Sequence, residues 1–361
     1  MLMKILITLL TIFAINLSLA SSSYANEAGK NSAEDEKLAA LIHVHEEFYL
    51  KSSPFNQPQI AGNNAKLPDL SANTLQKQYQ QRLKIYQQLM KLSPDKLSQE
   101  NQINLSVLSY SLKNQLDNYT NSEHYMPLTA ESGFHVWIAN IAKRSEFKTV
   151  EDYQDYLARL AALPKYFAQQ TQWMKLGLES GISQPKIVLK GFEQSILAFI
   201  KEDVSQSGYY QPFKNMSAYI SESNQQSLQK KAKSVISNKV MPAYQAYYDF
   251  MVNEYQPNAR DNIAANSLPN GDAYYQNRLE HYTTLPLTAQ QVHQRGLAEV
   301  KRIRAEMAEI ITQVKFDGSF SDFIQFLRTD KQFYAETPTA LLKEASFIAK
   351  QMDAKLPKLF K

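Results

Sequence analysis

Nonpolar residues recur at helical spacing along almost the whole chain, and the alternation that marks a half-buried strand is nearly absent. Leu105, Leu108, Leu112, Leu116 and Tyr119 share one helical face, as do Leu75, Tyr79, Leu83, Tyr86 and Met90. Thr149 and Asp152 form a capping box that opens a helix through Tyr153, Tyr156 and Leu160. Pro164 splits that helix, which resumes through Phe167 and Trp173 and ends near Gly181. Ser183 and Pro185 read as the next N-cap and first-turn proline, ahead of Val188, Phe192, Phe199 and Ile200. A further helix runs from about Ser227, bends at Pro242 and continues to Tyr255. Thr288 caps the most regular helix, carrying Val292, Gly296, Val300, Ile303, Met307, Ile310 and Val314. Ser319 with Asp322, and Thr337 with Pro338, open the last two. The expected fold class is therefore all-α, a multi-helix array forming one lobe of a cleft, with no substantial sheet.

The chain begins with a short basic segment, Lys4, and a nonpolar run from Ile5 to Leu19. Small residues place a cleavage site after Ala25 or after Ala20, so residues 1–25 read as a secretory signal peptide and 26–361 as one helical unit. Asn26 to Asp35 is polar and reads as unstructured, and Pro54–Leu67 and Ser205–Asn215 are the longest non-helical connections. No second run of about 20 nonpolar residues follows, so no membrane span is expected after cleavage, and the protein is placed outside the cytoplasm, periplasmic or secreted. Removing Lys4 from 39 basic residues leaves 38 against 35 acids, a balance that argues against nucleic acid as a partner. The absence of cysteine excludes disulfides, thiol catalysis and zinc–thiolate sites.

Six histidines carry what metal or acid–base chemistry the chain offers. His43, His45, Glu46 and Glu47 are the one dense cluster, yet zinc on a helix needs ligands a turn apart and position 49 is Tyr. Their ordinary reading is a solvated helical face. His124 and His135 bracket an irregular segment, Met126 to Gly133, and His135 can line a cleft or pack in the core. No G-x-S-x-G elbow and no glycine-rich phosphate loop occurs. Tyr209-Tyr210, Tyr247-Tyr248 and Tyr274-Tyr275 suit either interior packing or a peptide groove.

The stretch from Leu268 to Met307 is more specific. It joins Leu268-Pro269-Asn270-Gly271, Ala273-Tyr274-Tyr275, Thr283-Thr284, Leu287-Thr288-Ala289, His293, Gly296, Glu299-Val300 and Glu306-Met307. In that order it resembles the bacterial domain-of-unknown-function family 885. Met126-Pro127-Leu128, Tyr156 to Leu160, Gly177 to Gly181, Phe320 to Leu327 and Leu356-Pro357 fit the same pattern. The resemblance implies an exported, mostly helical protein similar to zinc metallopeptidases, whose histidine–glutamate metal helix lies beyond the segment matching Leu356 to Phe360. No residue of this sequence matches that motif, so the resemblance supplies no metal ligand or cofactor here. It implies an N-terminal portion of a zinc-dependent hydrolase, inactive without the metal-binding half, with a peptide as substrate. The alternative is a non-catalytic periplasmic helical protein that binds peptides or a protein partner. Gly271, Tyr274, Tyr275, His293 and Gly296 are the expected cleft residues, the glycines permitting close backbone approach.

Overall fold

The computed structural model describes residues 32–54 and 65–360. The expected signal peptide over residues 1–25 lies outside the described residues, as does most of the connection at 55–64. The expected all-α class holds: the described residues form helices joined by turns, with only two isolated bridges, Leu128 to Gly133 and Pro185 to Arg260. They group into two compact units, one ending at His281 and the other starting at Tyr282.

The first unit opens with a three-helix hairpin: α1 (Ala33–Ser52), α2 (Ala72–Leu89) and α3 (Gln99–Thr120). It has a nonpolar core of its own, made by Leu38, Ile85, Leu89, Leu97, Leu105 and Leu112. The fully buried residues of α2 are Ile85 and Leu89, with Tyr86 packed beside them as expected, whereas Met90 caps the helix and is exposed. The polar stretch expected to be unstructured up to Asp35 is helical from Ala33 onward. Ser32 and Asp35 form a capping box. Asp35 Oδ1 also accepts from the Ser98 backbone N–H at 3.1 Å and the Asn101 amide at 2.9 Å. One carboxylate thus ties the N-termini of α1 and α3 together. The Asn101 amide first, then the Ser98 and Ser32 donors, hold its pKa down to about 2, against an ordinary 3.8.

The second core belongs to α4 (Phe134–Ala139), α5 (Val150–Ala161), α6 (Leu163–Glu179), α7 (Glu193–Leu197), α8 (Glu222–Val235) and α9 (Met241–Phe250). The Thr149–Asp152 capping box and the break before Pro164 are as the sequence indicates. α6 closes with Gly181 at φ 73° and the Ile182 N–H donating to Gly177 O at 2.7 Å, the Schellman arrangement that glycine favours. Ser183 caps no helix. Its hydroxyl accepts from the Arg260 N–H at 3.0 Å, and the residues after Pro185 form a short 3₁₀ turn (Lys186–Leu189) followed by α7. Gly191, at φ 82°, interrupts the continuous helix expected there.

The helix expected to bend at Pro242 widens instead. A π segment, Ile236–Val240, precedes Pro242 by one residue, and a second, Met251–Tyr255, precedes Pro257 in the same way. A proline ring crowds the carbonyl four residues back and offers no N–H, and a wider turn relieves both faults without breaking the rod. The unit ends in α10 (Gly271–Thr283).

The second unit holds the rest of α10 from Tyr282, then α11 (Ala289–Gln313), α12 (Phe320–Thr329), α13 (Pro338–Asp353) and α14 (Leu356–Leu359). Thr288 with Gln291, and Ser319 with Asp322, form capping boxes, and Thr337 caps α13. Phe316, Phe323, Phe326 and Phe333 make a small ring cluster, with contacting centroids 5.1 to 6.3 Å apart. None of α11 to α14 contains a buried residue, and Val300, Ile303 and Ile310 on α11 and Leu341, Phe347, Ile348 and Met352 on α13 are exposed.

Replacing Asp35 with Ala removes a cap and the link between two helix N-termini, so the melting temperature falls at pH 7. A carboxylate with a lowered folded-state pKa stabilises above its ordinary value, and that contribution fades as the pH drops from 3.8 toward about 2. The gap between wild type and variant in thermal melts narrows over that window.

Candidate functional site

The second core is organised by tyrosine hydroxyls. Tyr156 donates to the Tyr209 carbonyl at 3.1 Å, and Tyr244 donates to the His135 carbonyl at 2.7 Å. Tyr209 and Tyr244 share a 2.7 Å hydroxyl contact. Since the Tyr244 proton is spent on His135, Tyr209 is the donor of that pair. Burial raises the pKa of all three phenols, so they stay neutral donors. The effect is to fix the backbone at the start of α4. Ahead of it, Leu128 bridges to Gly133, and the Thr129 N–H closes the turn on Ser132 O at 2.7 Å. A Cβ at Gly133 would stand 3.0 Å from His135 Nδ1 and 3.1 Å from Leu128 Cβ, a tight fit that favours glycine.

This turn and α4 form one wall of a groove of about 450 Å³, within the first unit. Phe134, Trp137 and Tyr166 line it from the core, and Leu75 and Tyr119 from the hairpin. The groove therefore runs between two separately packed cores. Polar ties cross near it: the Trp173 indole N–H donates to Leu70 O at 2.7 Å, and the Leu70 N–H donates to Gln169 at 3.1 Å. Its lining is mainly nonpolar and aromatic. Tyr166 accepts from the Gln170 amide at 3.1 Å, so that hydroxyl is already engaged.

His124 lies at the end of the groove, stacked on Tyr119 with centroids 5.2 Å apart and edge-on to Trp173 at 4.6 Å. Burial among these rings pushes its pKa down to about 4. Glu123 beside it pairs with Arg278 at 3.3 Å, and Arg278 also donates to Asn118. Arg278 and Asn277, which donates to Asp117 at 2.8 Å, clasp α10 to the C-terminal end of α3.

His135 is fully buried, so of its two readings the structure gives core packing rather than a cleft wall. Its Nε2 is 2.9 Å from Ser195 Oγ, which donates to the Phe192 carbonyl at 2.6 Å. The serine proton is therefore used, and Nε2–H is the donor to Ser195. That direction is opposite to a serine activated by a histidine base, so the pair is structural. Tyr209, Tyr210 and Tyr247 are likewise interior residues. Among the described residues no three His, Asp or Glu are grouped to hold a metal ion. His43 lies 3.5 Å from Glu47 on the exposed side of α1, while His45 turns toward Tyr49 and α2. The described donor set does not fit zinc.

The five expected cleft residues divide between the units. Gly271 is buried in the first turn of α10, where a Cβ would come within 2.5 Å of the Ala265 carbonyl oxygen, so close backbone approach is real there. Tyr274 lies under Arg278, whose guanidinium carbon is 5.7 Å from the ring centroid, and lines a small cleft of about 60 Å³ with Met126 and Pro269. Tyr275 is exposed. His293 and Gly296 are exposed on α11 in the other unit, and a Cβ at Gly296 would meet nothing within 4 Å. Sequence reasoning did not single out Trp137, Tyr166 or Arg278. Their signal is weak, because aromatics at helical spacing read first as core.

The model of the family described as "Bacterial protein of unknown function (DUF885)" matches residues 54–361. The chain belongs to this family. No curated protein matches it. Among solved structures, the DUF885 chain is similar to that of "the putative lipoprotein from Colwellia psychrerythraea", with a TM-score of 0.80 and 19% identity. The match covers 91% of this chain and 60% of that one, and at such identity the likeness is one of fold.

Burial of a neutral histidine makes stability depend on pH. The folded-state pKa of His135, about 4, lies below the ordinary 6.5, so the unfolded chain takes up the proton first as the pH falls. The contribution is complete above about 6.5 and is lost on the way to 4. Urea unfolding at pH 7 and pH 4.5 should show His135→Asn losing less stability than wild type across that interval, by roughly 2–3 kcal/mol.

Proposed function

We propose that this DUF885 protein is the substrate-holding lobe of an exported, peptidase-like hydrolase, and that it seats an extended peptide in the groove between the hairpin and the second core. The groove carries the reading: about 450 Å³, walled by Trp137, Phe134, Tyr166 and Tyr119, with the Tyr166 hydroxyl accepting from Gln170 and the Glu123 carboxylate paired with Arg278. That volume and lining suit one or two nonpolar side chains of a ligand. The exposed nonpolar stripes of α11 and α13 support a second contact, with a further helical lobe, since contiguous nonpolar surface marks an interaction site. Zinc-dependent hydrolysis belongs in this reading to that other lobe. The lipoprotein wording attached to the Colwellia psychrerythraea structure, and the basic and nonpolar start of the sequence, support export. Among the described residues no helix is long and nonpolar enough to cross a membrane.

A second reading keeps the groove and drops the catalysis: a non-catalytic periplasmic protein that captures peptides. The orientation of the His135–Ser195 pair favours it, because that serine is not set up as a nucleophile.

Both of the chain's tryptophans, Trp137 and Trp173, are at the groove or edge-on to His124 beside it, so intrinsic fluorescence reports on occupancy. Titration with acetyl-Ala-Phe-Ala-Ala-Ala should quench saturably, and Trp137→Ala should weaken binding about tenfold. The purified chain should neither hold stoichiometric zinc nor cut the peptide. Stoichiometric zinc with cleavage would overturn the division of labour, and the absence of any peptide binding would overturn the groove.

Tyr274 and Tyr275 of the first unit, with Gly271 giving the close backbone approach beside them, and, taken separately, His293 and Gly296 of the second unit are proposed as further substrate contacts, on the strength of their place in the stretch with the most specific family resemblance. Tyr275→Phe and His293→Ala should each weaken peptide binding about threefold to tenfold in the same titration. Unchanged affinity in both removes them from the site.

A further inference from the structure

Arg82 is a half-buried cation to which the described residues offer no carboxylate. It points inward from α2 between the other two helices of the hairpin, its Nε donating to Gln115 Oε1 on α3 at 2.8 Å and its guanidinium carbon 5.3 Å from the Phe48 ring centroid on α1. No carboxylate among the described residues forms an ion pair with it, and burial alone accounts for its lowered pKa. A partly buried guanidinium is well suited to a carboxylate or phosphate, because a single amide engages only one of its five donors and the outer N–H groups remain open to a ligand. The local field is uncompensated as well. Burial first, and the Arg82 charge second, hold His45 below the ordinary imidazole value.

Position connects this cation to the groove. Leu75 in the groove wall and Arg82 are seven residues apart, which puts them on nearly the same face of α2 and about 10 Å apart along its axis. Tyr79, between them, stacks on the groove residue Tyr119 with centroids 4.8 Å apart. An extended peptide covers that length in about three residues.

We propose that Arg82 receives the C-terminal carboxylate of a bound peptide whose nonpolar side chain lies about three residues upstream, in the groove. The guanidinium fork, freed on its outer edge, takes the two carboxylate oxygens, and His45 stands beside them as a further N–H donor. The proposal rests on the peptide reading of the groove and adds to it a direction of binding and a preference for free C-termini.

The test uses the whole chain and two probes, acetyl-Ala-Phe-Ala-Ala-Ala as the free acid and as the C-terminal amide, followed by tryptophan fluorescence. The acid should bind about tenfold more tightly than the amide. Arg82→Gln should abolish that ratio while leaving the affinity for the amide as in wild type, which also shows that the groove is intact. Arg82→Lys should retain part of the ratio, and it serves if the glutamine variant does not fold. In wild type, the His45 ring resonances should move with the acid and stay with the amide. Equal binding of acid and amide to the wild-type protein, with no His45 shift, overturns the proposal while leaving the groove reading standing. Binding of neither probe overturns both.

Discussion

The buried hydroxyl chain from Tyr209 through Tyr244 to the His135 carbonyl is the interaction on which the rest of the first unit depends. It spans α9, the 3₁₀ turn at Gly208–Phe213 and the start of α4, three pieces that nonpolar contact alone would leave free to slide. Each hydroxyl in it is paired, so little of the cost of burying polar groups is left unmet. By holding the backbone of His135 it sets where Phe134 and Trp137 stand, and those two rings make the inner wall of the groove. The outer wall comes from a hairpin with its own core and its own electrostatic tie, the Asp35 carboxylate shared by two helix N-termini.

Much of this fold is legible in residues that act locally. The capping boxes at Thr149, Thr288 and Ser319 start helices where a serine or threonine with an acid or glutamine three residues on says they should. Pro164 and Gly181 divide and end helices for reasons contained in their own backbones. Failures arise where a distant partner decides. Ser183 looks like an N-cap, yet Arg260, 77 residues away, claims its hydroxyl. Asp35 sits in a polar stretch and becomes a buried cap because Ser98 and Asn101 come to it. Pro242 signals a bend, yet the helix widens just ahead of it, and again ahead of Pro257, which no local pattern announces.

The site was harder to read than the fold. The family-specific residues run from Gly271 to Gly296, and Gly271 does carry a close backbone contact, but the groove is built from residues dispersed between Leu75 and Gln170. Trp137, Tyr166 and Arg82 sit at ordinary helical positions, and only the three-dimensional arrangement shows one ring uncovered, one hydroxyl engaged and one cation unmatched. Membership of DUF885 fixes the kinship of the chain and leaves its chemistry to be argued from those residues.

Amide hydrogen exchange of the whole chain, with and without saturating acetyl-Ala-Phe-Ala-Ala-Ala, tests the central claim most directly, because it reports both groove walls at once. The account predicts slowed exchange in the Ser122–Trp137 segment and in the groove-facing turns of α2 and α3 together. Protection confined to the second unit, or to one wall of the groove alone, would contradict it.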